Sequence, residues 1–146
     1  MEKGLNKNRL EFRAFHKPTH RLFNVYTFSK DFVFEETIDG IGTSETNPAK
    51  FKDCIIEQCT GLKDNNGRLI FEGDIICTDK TVGVVKLGKY GGNDWEGWHF
   101  GYYIDWLRYA DINNRKPTLR KDFWFWVEHR EIEIIGNIHQ NKELLK

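Results

Sequence analysis

The stretch QCTGLKDNNGRLIFEGDII, residues 58–76, alternates short apolar runs with turn residues. Asp64-Asn65-Asn66-Gly67 reads as a tight turn: Asn and Asp tolerate left-handed backbone, and Gly67 takes a positive φ with no Cβ to clash. Leu69 to Phe71 follows as a short extended run, and Glu72-Gly73-Asp74 is the next break. Ile75 and Ile76 open another apolar run, which reaches Val84 and Val85 past Thr81 and Gly83. Short strands at this spacing, separated by turns, are the pattern of a small β-protein.

Upstream, residues 51–58 carry Cys54, Ile55 and Ile56 and lead as a strand into this stretch. Residues 9–15 alternate, with Leu10, Phe12 and Ala14 on one parity and charged residues on the other, which predicts a half-buried strand. Lys17-Pro18-Thr19 breaks it, and residues 21–26 return, giving an N-terminal hairpin. Phe32 to Phe34 predicts a short strand, and residues 39–50 a loop. Downstream, Gly88, Gly91, Gly92, Gly97 and Gly101 are interleaved with seven aromatic residues between Tyr90 and Trp106. This part reads as the least regular of the chain, with a strand over residues 98–104. Residues 111–117 read as a polar loop. Residues 121–127 read as a strand, with Phe123, Phe125 and Val127 on one face and Trp124 and Trp126 on the other. Residues 131–135 read as a further strand, and Asn141 as the N-cap of one helical turn that packs Leu144 and Leu145. The expected architecture is one all-β domain over residues 1–146. It is a small SH3-like barrel or a strongly bent sheet, with an N-terminal hairpin, a short C-terminal helical turn and a Gly/aromatic-rich insertion at 88–120.

Three groups of residues give the chain a resemblance to the YopX family of phage and prophage proteins. They are Gln58-Cys59-Thr60-Gly61-Leu62-Lys63-Asp64 with Asn66-Gly67, then Phe71-Glu72-Gly73-Asp74-Ile75, and Glu11-Phe12-Arg13-Ala14-Phe15 near the start. The closing run from Gly136 to Leu145 is similar to the family's ending. Cys59 departs from the pattern, standing where the family has an aromatic residue. The resemblance implies a β-fold and a phage or prophage origin, and it names no reaction.

The 146 residues include eleven Phe, five Tyr and five Trp. A chain of this length buries roughly 68–70% of its unfolded surface, so it needs no disulfide or metal to fold. Lys and Arg number 22, as do Asp and Glu, for a net charge of zero. The signs are mixed along the chain: 12 basic against 13 acidic residues in 1–80, and 10 against 9 in 81–146. No global field draws nucleic acid or an anionic membrane to it. No apolar run approaches the ~20 residues of a membrane span. With a polar N-terminus and an odd number of cysteines, the expectation is a cytoplasmic protein with free thiols.

Chemistry-bearing patterns are few. Cys54 and Cys59 form one C-x₄-C step with no second pair, so neither a metal nor a cofactor is expected. His16 and His20 are separated by Pro18, which disrupts the helix that would align them. The best enzyme constellation is Cys59 with Glu72 and Asp74, but turn chemistry explains Asp74 and core packing explains Cys59. The surplus of aromatic residues points instead to binding. Trp124 and Trp126 need cover, from residues 88–106, from a second subunit or from a ligand. The expected binding face is Arg115, Lys116, Arg120, Lys121, Trp124 and Trp126. The leading expectation is a non-catalytic module that binds itself or a phage or host protein. Single-stranded nucleic acid stacked on the basic-aromatic face is the alternative.

Overall fold

A computed structural model describes residues 11–36, 48–78, 81–92, 97–108, 121–129 and 132–146. The chain divides into two compact units, one ending at Gly61 and one beginning at Leu62.

The first unit is built from β1 (Phe12–His16), β2 (Arg21–Phe28), β3 (Phe32–Glu35), β4 (Ala49–Lys50) and β5 (Cys54–Lys63), whose last two residues belong to the second unit. The strands lie antiparallel in the order β4-β3-β2-β1-β5. The predicted hairpin is β1–β2, with Ala14 opposite Phe23. Its turn places His20 at φ 55° and ties His16 Nδ1 to Thr19 Oγ1 at 2.7 Å. Ala14, Phe23 and Val33 form the core of this unit, flanked by Val25, Ala49, Phe51, Cys54 and Ile56. Side chains alternate across a strand, so Arg13 points away from that core. It meets its cross-strand partner Glu57 there, with Nε donating to Oε2 at 2.6 Å and both side chains almost fully buried.

The second unit carries β6 (Leu69–Phe71), β7 (Asp74–Cys77), β8 (Val82–Gly91), β9 (Trp98–Arg108), α1 (Phe123–Glu128) and β10 (Glu133–Asn137). Its antiparallel sheet runs β10-β7-β8-β9. Ile70, Ile76, Val85, Ile104, Trp106, Phe123 and Ile132 make its core. Gly83 sits in a bulged register where a Cβ would lie 2.6 Å from Ile104 Cγ2 and 2.8 Å from the Trp106 ring, so only glycine lets β9 approach. The chain ends in a 3-10 turn, Lys142–Leu145, with Leu144 and Leu145 half-buried. The all-β expectation, the N-terminal hairpin and the C-terminal helical turn are therefore all present. Among the described residues the strands of neither unit close on themselves, so open antiparallel sheets stand where an SH3-like barrel was one expectation.

Three local expectations are corrected. Residues 121–127 are not a strand: Phe123–Glu128 is an α-helix. Phe123, Trp126 and Val127, at i, i+3 and i+4, all pack into the core, which is a helical stripe. In a run where nearly every side chain is large, period 2 and period 3.6 both find apolar residues, and packing decided between them. Trp124 and Trp126 thus do not share a face, because two helical steps turn the chain by roughly 200°. The Gly-rich region is not irregular, since β8 and β9 pair continuously from Gly83↔Trp106 to Gly91↔Trp98. Asn141 does occupy the N-cap position, but its side chain does not cap the 3-10 turn. Its Oδ1 accepts instead from the Asn137 backbone N–H at 3.1 Å.

Candidate functional site

The residues that carry the family resemblance are occupied in holding the fold. Asp64 has a fully buried side chain. Its Oδ1 accepts from Asn66 N and Arg68 N, both at 2.9 Å, and its Oδ2 from Ile134 N at 3.0 Å. The Arg68 guanidinium adds an ion pair at 3.3 Å. Burial alone would push this carboxyl up, but the three N–H donors and Arg68 together hold it below the ordinary carboxylate range. Gly67 takes φ 78° and closes the turn onto Asp64 O. Gly73, at φ 87°, donates to Val85 O and accepts from Ile138 N, so one turn ties β8 to the residue after β10. Asp74 is buried and its Oδ2 accepts from Phe71 N at 2.8 Å, which is the turn role rather than that of a solvent-facing acid.

Cys59 is buried in β5 of the first unit, and its sulfur receives Gly61 N–H at 3.4 Å. Glu72 lies in the β6–β7 turn of the second unit, and Asp74 is the first residue of β7. Burial pushes the Cys54 and Cys77 thiols up, and Asp53 and Glu133 respectively push them further, the opposite of nucleophile activation. Among the described residues no three His, Cys, Asp or Glu side chains are grouped as metal ligands. No helix among them is long and apolar enough to cross a membrane.

Of the expected binding face, Arg115, Lys116 and Arg120 lie outside the described residues. Lys121 is exposed, and Trp124 keeps 54% of its surface open. Trp126 turns inward and packs edge-on against Trp106 of β9, ring centroids 5.1 Å apart. The cover expected from residues 88–106 thus reaches Trp126, while Trp124 stays open.

The larger aromatic surface is on the β8–β9 ribbon, where sequence reasoning saw only an aromatic surplus. Beyond Val84, β7 no longer pairs with β8, and the two strands continue as a ribbon. Lys86, Gly88 and Tyr90 share one face with Tyr103, Gly101 and His99. Gly88 and Gly101 stand opposite each other between the Lys86–Tyr103 and Tyr90–His99 pairs, and on this face three rings stack: Tyr103 on Tyr90 and Tyr90 on His99, each pair 5.3 Å apart. Lys86 donates to Asp105 at 2.6 Å beside this stack, and that bond is the chief reason its ammonium is held above the usual lysine range.

The other face continues the core. From fully buried Val85 and Ile104 it passes to Leu87 and half-buried Tyr102, and then to Lys89, Phe100 and Trp98 at the tip. Phe100 is 80% exposed and Trp98 64%. Trp98 is nevertheless held in place. Lys89 Nζ lies 4.2 Å from its ring centroid, and the ring sits so close to Gly92 that a Cβ there would come within 2.4 Å of it. A large, rigid, exposed aromatic is the kind of side chain that anchors interfaces.

The fold and this surface define an all-β protein of antiparallel sheets that carries an aromatic ribbon. The chain belongs to the YopX family: the family's sequence model, described as YopX protein, matches residues 11–146. No curated protein matches it. Among solved structures it is similar to the crystal structure of protein EF1440 from Enterococcus faecalis, at 24% identity and a TM-score of 0.48, over 93% of this chain and 97% of that one.

Proposed function

We propose that this protein is a non-catalytic, phage- or prophage-type module of the host cytoplasm that works by binding, with a second copy of itself as its first partner. The observation that carries the reading is the apolar strip that leaves the core at Ile104 and ends on exposed Phe100 and Trp98. Exposing two such rings at one ribbon tip costs solvation free energy that burial against a partner recovers. The pinned Trp98 lowers the entropy lost on binding. An odd number of cysteines, three, fits a reducing compartment.

Sedimentation over a dilution series tests this. Self-association gives a concentration-dependent mass above the 17.3 kDa of the single chain. Phe100→Asp returns it to 17.3 kDa and leaves the melting temperature at high dilution, where the wild type is also monomeric, unchanged. A strict monomer at the highest soluble concentration refutes self-association. Single-stranded nucleic acid is the second reading, supported by the exposed pair Lys121 and Trp124 and by Lys89 on Trp98. Its mark is saturable quenching of tryptophan fluorescence by short single-stranded DNA or RNA, weakened by salt.

A further inference from the structure

Asn66-Gly67 is the single Asn-Gly step of the chain, and it occupies the turn between β5 and β6. Asparagine followed by glycine is the dipeptide most open to intramolecular attack, because no side chain shields the glycine nitrogen. Both residues are exposed, and nothing lies within 4 Å of where a Gly67 Cβ would be. Water and base therefore reach the site. The turn, however, commits the reacting groups elsewhere. The attacking atom, Gly67 N, donates to Asp64 O at 3.0 Å. The Asn66 backbone N–H is held by Asp64 Oδ1 at 2.9 Å, and the Asn66 amide nitrogen donates to Glu133 Oε1 of β10 at 3.2 Å.

We propose that Asn66-Gly67 is a self-modification site gated by the fold: inert while the turn is closed, and deamidating when the turn opens. In the open turn the deprotonated Gly67 nitrogen attacks Asn66 Cγ. The N–Cγ bond forms, the Cγ–Nδ2 bond breaks and ammonia leaves, giving a five-membered imide. Water then opens either imide carbonyl, yielding aspartate or isoaspartate at 66, with no oxidant or reductant involved. The product carries a carboxylate where the amide donated to Glu133. Two carboxylates now face each other, and the tie between the turn and β10 becomes a repulsion. The reaction is therefore one-way in two senses: the amide is not restored, and the closed turn that prevented it is weakened.

Incubation of the whole protein at mildly alkaline pH, in buffer and in guanidinium, followed by peptide mapping with isoaspartate detection, tests the gating. Reaction through the open turn alone makes the native rate proportional to the open fraction. The peptide holding Asn66 is then modified at least about tenfold faster in guanidinium than in buffer. Glu133→Ala, which removes an exposed tether and leaves the core intact, gives an intermediate rate. Equal rates in the two conditions overturn the proposal, as does the absence of modification in guanidinium. For the consequence, Asn66→Asp lowers the melting temperature at neutral pH, and adding Glu133→Gln restores it. An Asn66→Asp protein that melts with the wild type overturns the claim that the product loosens the turn.

Discussion

Replacing Asp64 by asparagine changes one atom and leaves the shape of the side chain. The remaining carbonyl oxygen can still accept from Asn66 N and Arg68 N, as Oδ1 does now. The new NH₂ takes the place of Oδ2, which receives Ile134 N–H and faces Arg68. A charge-assisted bond is lost, and a donor is set against a donor in a buried place. Bonds to charged groups are worth about 1.5–3 kcal/mol each, and a stranded buried donor costs about 1–3 kcal/mol. These terms overlap, so the expected loss is about 2–4 kcal/mol. The sign of the pH dependence follows from the lowered folded-state value. The stabilisation is fully present above the unfolded value of about 3.9 and is lost as pH falls through the folded one. Urea denaturation of both proteins from neutral pH downward measures it. The gap should be widest at neutral pH and narrow in that acid window. A gap under about 0.5 kcal/mol at pH 7, the usual size of surface substitutions, or one that does not change with pH, would refute the account of Asp64 as a buried charged clamp.

The Arg13–Glu57 pair should behave as a unit. Glu57→Leu or Arg13→Met alone is expected to destabilise by about 3–5 kcal/mol, and the double change Arg13→Met with Glu57→Leu by less than either. A denaturation double-mutant cycle reads the coupling, and additive losses would show that the two do not depend on each other. Gly83→Ala should cost about 1–3 kcal/mol by overpacking, because its Cβ meets Ile104 and Trp106. Thermal melts check it, and a melting temperature equal to that of the wild type would show that the Ile104 and Trp106 side chains yield without cost.

The sequence was most legible where one residue type has one local explanation. Gly67 and Gly73 both carry the positive φ that their turns demand, and Leu69–Phe71 and Asp74–Cys77 lie between and after those turns as the pattern requires. It was less legible where the explanation is non-local. Gly88 and Gly101 read singly as flexibility, and only the β8–β9 register shows that they face each other on the side of the ribbon where Tyr103 and Tyr90 stack. Phe123 to Val127 fits either period, and its helix exists because Phe123, Trp126 and Val127 meet one core. The candidate ribbon surface was hidden for the same reason. Trp98 and Phe100 become an exposed pair only once β9 has outrun β7. The expected basic-aromatic face was assembled from a strand that does not form, so Trp124 and Trp126 parted to opposite sides.

The division between the ribbon tip and the rest of the second unit bears on how such a chain can change over time. Asp64, Gly73, Gly83 and Asp74 are each bound to the fold by contacts that few other side chains satisfy. Phe100 and Trp98 project beyond the core, and substitutions at such exposed sites usually shift stability by no more than about 0.5 kcal/mol. New tips can therefore be tried on an unchanged frame. Under the binding role proposed above, a change of partner would need only a handful of codons at one ribbon, and selection on recognition would proceed almost independently of selection on folding.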